Sequence, residues 1–236
     1  MIPLNKQRLL VIAPHPDDEV LGCGGFIRRI KDEGGKVFIL FLTVGTTKDF
    51  SRSGISTDSQ RILEIKKVAS FLKFDGWRIA FPGDDYHLKL DNIPQKDIIH
   101  EIERGEQISI QTIKPTIILT PQSADYNQDH RACTEAVFAV TRPAPNDLKP
   151  LQRVVLGYES VPAEWSIFPP STPNFFVELK SKHLKAKIEA LSLYESQVRG
   201  KYHLRSARTL KNLASLRGSQ SGTRNAEAFY SYRVLI

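Results

Sequence analysis

The stretch Val11-Ile-Ala-Pro-His-Pro-Asp-Asp-Glu-Val-Leu-Gly-Cys-Gly-Gly25 decides how the rest of the chain is read. The segment Arg8 to Ala13 (RLLVIA) is an apolar run that predicts a strand buried on both faces. It meets a histidine, a proline and three consecutive acids, and the residues from Val20 then read as a helix ending near Gly34-Gly35. Three adjacent carboxylates repel one another, and burying unpaired charge is costly. A divalent cation at the strand tip would compensate them, and the carboxyl ends of strands are where doubly wound sheets hold ligands. Helix capping by Asp17 or Asp18 would explain one acid, but neither the second nor the histidine.

Strand and helix patterns alternate along the remainder. Lys36 to Gly45, Trp77 to Phe81, Pro115 to Pro121, Arg153 to Ser160 and Asn174 to Leu179 read as strands. Asp58 to Phe74 reads as a helix opened by an Asp or Ser cap, with Ile62, Ile65, Val68, Ala69 and Leu72 at helical spacing. Pro94 to Ile113 and the segment from His130 read as further helices, as does Lys180 to Gln197 with Leu184, Ile188, Leu191 and Tyr194 inward. This alternation predicts an α/β fold, Rossmann-like, with a mostly parallel sheet and helices on both faces in one domain spanning 1–236. The Pro-rich stretch Pro162 to Pro173 reads as a long surface loop, and the extension after Gly200 has no assigned place.

Composition narrows the function. With 41% hydrophobic and 25% charged residues the chain is of ordinary globular type, and its longest apolar runs are far too short to span a bilayer. The acids that follow the N-terminal apolar stretch at once argue against a secretory signal. Two cysteines give no disulfide framework, so a cytoplasmic location is expected. The net charge of +7 is uneven: 12 of the 33 Lys/Arg but only 3 of the 26 Asp/Glu fall from Lys180 onward. That surplus reads as a solvated helix face or as a lip attracting an anionic ligand, partner or membrane surface. No aromatic-basic interleaving or binding module points to nucleic acid.

His15 and Asp18 lie three apart on a tight turn and can converge while Asp17 points elsewhere. The best third ligand lies in Ala124 to Cys133 (ADYNQDHRAC), where His130 opens a helix after the fourth strand, beside Asp129. Two histidines and one carboxylate leave a fourth position for water, the pattern of a catalytic zinc site. Cys23 lies too far into its helix to serve as a ligand, and both cysteines read as small buried residues.

The motif Pro-His-Pro-Asp-Asp-Glu with Gly22-Cys-Gly-Gly25 after it, and Asp129-His130 at a distant helix start, resembles the PIG-L/LmbE family of zinc-dependent N-deacetylases. Arg61-Ile-Leu-Glu64, Phe81-Pro-Gly-Asp-Asp85, Lys187 to Gln197 and Ala226 to Tyr230 also resemble family segments. The resemblance implies removal of an acyl group, usually acetyl, from a glucosamine nitrogen. It implies one Zn2+ held by His15, Asp18 and His130, with Asp17 as general base and Glu19 supporting the turn. Many members carry a histidine where this chain has Asn127, which can donate to an oxyanion but cannot act as an acid.

Further expectations concern single residues, read from the resemblance or from their local setting. Arg61 would contact substrate or pair with Glu64. Asp85 would bind sugar hydroxyls, and Tyr126 would approach the site. Asp129 would orient a neighbouring group or cap its helix. Glu227 would join a structural ion pair. His87, His100, His183 and His203 have no converging acid in the sequence and receive no role. The expected partner is a small amino-sugar substrate, and assembly into a homo-oligomer is compatible with these residues. Two rival readings are a metal-containing carbohydrate-binding protein that has lost turnover and a hydrolase of another amide conjugate.

Overall fold

A computed structural model describes residues 3–48, 54–145, 147–159, 166, 169 and 171–235. Among these the strands are β1 (Arg8–Ala13), β2 (Lys36–Val44), β3 (Thr47–Lys48), β4 (Ile55–Ser56), β5 (Gly76–Pro82), β6 (Ile117–Pro121), β7 (Val154–Tyr158), β8 (Phe175–Glu178) and β9 (Ala226–Val234). The helices are α1 (Asp18–Asp32), α2 (Asp58–Leu72), α3 (Gln95–Arg104), α4 (Ile110–Ile113), α5 (Gln128–Val140), α6 (Ser181–Leu193) and α7 (Ala207–Ser221).

Seven strands form one sheet in the order β5-β2-β1-β6-β7-β9-β8, and β3 pairs with β4 in a separate ribbon. From β5 to β7 all pairings are parallel, whereas β9 runs antiparallel to both of its neighbours. The chain winds outward from β1 in one direction through β2 and in the other through β6. The gap between the carboxyl ends of β1 and β6 is therefore the topological switch point, where such sheets bind ligands.

The apolar runs are continuous because the parallel strands are covered twice. Leu9, Val11 and Ala13 face α1, α2 and α6, packing with Ile27, Ile65, Leu72 and Leu191. Leu10 and Ile12 face the other way, towards Ile98, Ile102, Ile110 and Val137 of α3, α4 and α5. Alternation with period two thus feeds two cores from one strand.

Several expectations are refined. The predicted helix Pro94 to Ile113 is two helices: α3 stops at Gly105, and Ser109 starts α4 by accepting a hydrogen bond from Thr112 N at 3.4 Å. Thr57, rather than Asp58 or Ser59, caps α2 through its hydroxyl to Gln60 N. In α6 the buried face carries Ala186, Lys187, Ala190 and Leu191, with Leu184 and Ile188 only half-buried. The segment after Gly200 supplies α7 and β9, so the C-terminus is built into the main sheet. Most of the Pro162 to Pro173 loop lies outside the described residues. No described helix is long and apolar enough to cross a membrane.

Candidate active site at the carboxyl end of the sheet

The β1–α1 turn is fixed before any side chain acts. Thr43 N donates to Pro14 O at 3.0 Å, tying the turn to β2. Asp17 then takes a left-handed backbone, φ 103°, a region that few non-glycine residues occupy and that costs about 1–3 kcal/mol. Its carbonyl receives Val20 N and Leu21 N, which starts α1, while its side chain makes no cap. The turn sends His15 and Asp18 to one side and Asp17 to another. Gly22 lets α1 lie against β7, because a Cβ there would meet the Tyr158 ring at 2.3 Å.

His15, Asp18 and His130 each bring one ligand-capable atom within 4.8 Å of the others, and all three are buried. Asp18 Oδ2 lies 3.3 Å from His15 Nδ1 and 3.3 Å from His130 Nε2. The outward nitrogens are also engaged: His15 Nε2 meets Asp129 Oδ2 at 2.8 Å, and His130 Nδ1 meets Asp125 Oδ2 at 2.8 Å. The remaining oxygens of those two acids accept backbone amides, Leu90 N at Asp129 and Asn127 N at Asp125. Both rings are therefore aimed by a carboxylate that is itself held, which is the usual surrounding of a metal-binding histidine.

The charges agree with a cation site. Burial would raise the Asp18 carboxyl, but the charge and hydrogen bond of His130, and those of His15, hold it well below the usual range. Burial would lower His130, but Asp18 and Asp125 push it up to about 10. Metal uptake at this donor set would release protons, because imidazoles ligate in their neutral form.

Asp17 is fully buried, and among the described residues neither carboxylate oxygen has a hydrogen-bond partner. Arg205 Nε lies 3.1 Å from Oδ2, close enough for an ion pair but not aligned as a hydrogen bond. Burial raises the Asp17 pKa against the pull of Arg205 and Arg61. Asp17 is not part of the cleft wall; Arg205, which is, sits against it.

Glu19 supports the turn as expected, accepting Asp17 N and the Tyr194 hydroxyl. Burial pushes its carboxyl from 4.5 up to about 8. A folded-state pKa above the unfolded value means that the native chain holds the extra proton. That stabilisation is complete below about 4.5 and is lost as pH rises through about 8. The melting temperature of metal-free protein should accordingly fall across that window by calorimetry, and Glu19→Gln should flatten the slope.

A cleft of about 740 Å3, including its open mouth, contains His15, Asp18 and His130 in its wall together with Arg61, His87, Tyr126, Asn127 and Arg205. Asn127 caps α5: its Oδ1 accepts Asp129 N at 2.9 Å, so the donating Nδ2 is the other end of the amide. Asp129 itself is not the cap. Arg61 does not pair with Glu64; it donates to Pro16 O and to His87 Nε2, while Glu64 accepts Ser196 N and Oγ. Asp85 is exposed and outside the cleft wall, because the turn after β5 sends His87 inward instead. Both cysteines are buried and unpaired.

Sequence reading passed over His87, Arg205 and Asp125. His87 packs edge-on to His15 with centroids 5.4 Å apart. Burial, then Arg61 and His15, lower its pKa to about 3, so it stays a neutral acceptor for the Arg61 guanidinium. Gly45 makes room for it, since a Cβ there would meet His87 Cβ at 2.4 Å. Asp125 had a local signal, an acid five residues before His130. Arg205 had none, since its contact with Asp17 joins opposite ends of the chain.

Fold and site together define an α/β enzyme with a two-histidine, one-carboxylate group, able to hold a metal ion, at its switch point. The profile of the family described as PIG-L, GlcNAc-PI de-N-acetylase, matches residues 10–141, and the chain belongs to this family of amide hydrolases. It is 27% identical over 196 residues to the uncharacterized deacetylase YaiS of Escherichia coli K12, covering 81% of this chain and 93% of that one. It is 29% identical over 241 residues to the diacetylchitobiose deacetylase of Thermococcus kodakarensis, covering 95% and 83%. Among solved structures, the conserved protein TT1542 of Thermus thermophilus superposes with a TM-score of 0.73 at 25% identity, covering 98% and 96%.

Proposed function

We propose that the chain is a zinc-dependent N-deacetylase acting on an N-acetylglucosamine-type sugar or sugar conjugate. The observation that supports this best is the convergence of His15, Asp18 and His130 from two strand ends, with each imidazole aimed by a buried acid. In this reading those three side chains hold the ion, and Asp129 and Asp125 fix the two rings. When bound, zinc would supply a Lewis acid for the amide carbonyl and lower the pKa of water towards about 7.

The remaining work falls to the chain. Asp17, closed off from the cleft with Arg205 against it, would take a proton from the attacking water once Arg205 moves aside, and would pass it to the leaving amine nitrogen. Asn127 Nδ2 donates to the carbonyl oxygen as negative charge builds there. Arg61, held by His87, orients sugar hydroxyls. The relatives named as deacetylases, one of them of diacetylchitobiose, agree with this substrate class.

Asn127→Ala should slow acetate release by about 10²-fold, the loss of one oxyanion donor, with metal content unchanged in steady-state assays. The reading as a whole is tested by acetate release from a panel of N-acetylamino sugars at saturating zinc. Release from N-acetylglucosamine-type members supports it. Sugar binding without release favours a recognition protein, and release only from other amides favours a different conjugate.

A further inference from the structure

We propose that the outer part of the cleft is a subsite for an apolar aglycone, an aryl or alkyl group carried by the amino sugar. Leu88, Tyr126 and Leu204 form it. The proposal rests on the sugar-deacetylase reading above and extends it from the sugar to what the sugar is attached to.

Leu88 follows β5, Tyr126 precedes α5 and Leu204 lies between α6 and α7, yet all three line the same cleft as the His15–Asp18–His130 group. They are 41%, 51% and 42% exposed. Single exposed apolar residues are ordinary on a protein surface. Three from separate loops line one cavity, and exposed apolar side chains gathered around a cleft mark binding sites.

Their backbones are held while their side chains are left open. Leu88 has a left-handed φ of 59°, and its carbonyl accepts Gln128 Nε2 at 3.2 Å. That turn is what sends His87 into the cleft and leaves Leu88 at the rim, with Leu90 N returning to Asp129. The Tyr126 carbonyl accepts Arg131 Nη1 at 2.6 Å. Leu204 is bracketed by His203 N on Gly200 O at 2.9 Å and Arg205 N on His203 Nδ1 at 3.0 Å.

Deeper in the cleft the wall is polar, with His15, Asp18, Arg61, His87 and His130. A cavity polar at its depth and apolar at its mouth matches a ligand with a hydrophilic sugar and an apolar tail.

The test compares methyl and phenyl β-glycosides. Acetate release is measured on the N-acetylglucosaminides, and calorimetric affinity on the corresponding glucosaminides, which have no acetyl group to lose. The phenyl compound is expected to be favoured about tenfold or more in both, through KM rather than kcat. Leu204→Asn should cut the preference severalfold, and Tyr126→Ser provides a second variant read in the same way. Equal affinity for the two glucosaminides overturns the subsite, whatever the turnover. A phenyl preference that neither variant reduces overturns the residue assignment. If neither N-acetyl compound releases acetate but the phenyl preference and its loss persist in binding, the subsite stands and the deacetylase reading falls.

Discussion

Replacing Asp17 with asparagine is expected to lower acetate release by about 10³-fold, within the range of a general acid–base group, while metal remains bound. The substitution keeps size and shape, and asparagine tolerates the left-handed backbone that Asp17 adopts at φ 103°. Among the described residues no aligned hydrogen bond to the Asp17 carboxylate is lost, since the nearby Arg205 Nε forms an ion pair only. What changes is the capacity to accept a proton, together with the counter-charge to Arg205 and Arg61. Steady-state assays with parallel metal analysis decide the matter. A variant within about threefold of the parent moves the proton transfer to another residue. Loss of metal would show that the substitution disturbs the turn carrying His15 and Asp18.

The largest effect on stability is expected at Glu227, far from the chemistry. Helix α1 breaks at Cys23, φ −145° and ψ 20°, so a new set of amide donors opens in mid-helix. Glu227, reaching across from β9, accepts Gly25 N at 2.9 Å and Phe26 N at 2.7 Å, and pairs with Lys187 Nζ at 2.6 Å. Lys187 is only 4% exposed. Glu227→Ala leaves a buried ammonium and two buried amides unpartnered, a loss of about 3–5 kcal/mol. For a chain of this length that lowers the melting temperature by about 10 °C. Adding Lys187→Met should restore part of it, since the orphaned charge is then gone. A melting temperature within about two degrees of the parent would show that the pair contributes little.

This device shows where sequence reading reached and where it stopped. The Ala226 to Tyr230 segment was singled out and Glu227 read as structural, but Lys187 lies 40 residues away and the two amides 202 and 201 residues away in the chain. The parallel frame was legible because β1, β2, β6 and β7 are dominated by apolar residues, the mark of strands covered on both faces, while the half-buried edge strand β5 is broken only by Arg78. Strand β9 was not, since Glu227 interrupts its apolar alternation and its place between β7 and β8 depends on pairing at long range. His15, Asp18 and His130 were legible because the chemistry of a metal-binding set restricts residue type and position. Arg61 was half legible: its residue type suggested the cleft, but only the fold shows that His87, rather than Glu64, holds it. Asp85 was misplaced because two adjacent acids in a turn do not reveal which way the turn faces. Arg205 depends on a loop between two helices folding back onto the β1–α1 turn, and nothing local encodes that.

The central claim is that one ion held by His15, Asp18 and His130 makes the cleft a hydrolase. Its most direct test is titration of metal-stripped protein with zinc, with bound metal and acetate release followed in the same samples. The account predicts that both rise together and saturate at one zinc per chain, and that His130→Ala abolishes the two in parallel. Full acetate release from metal-stripped protein, or zinc binding unchanged in His130→Ala, would contradict it.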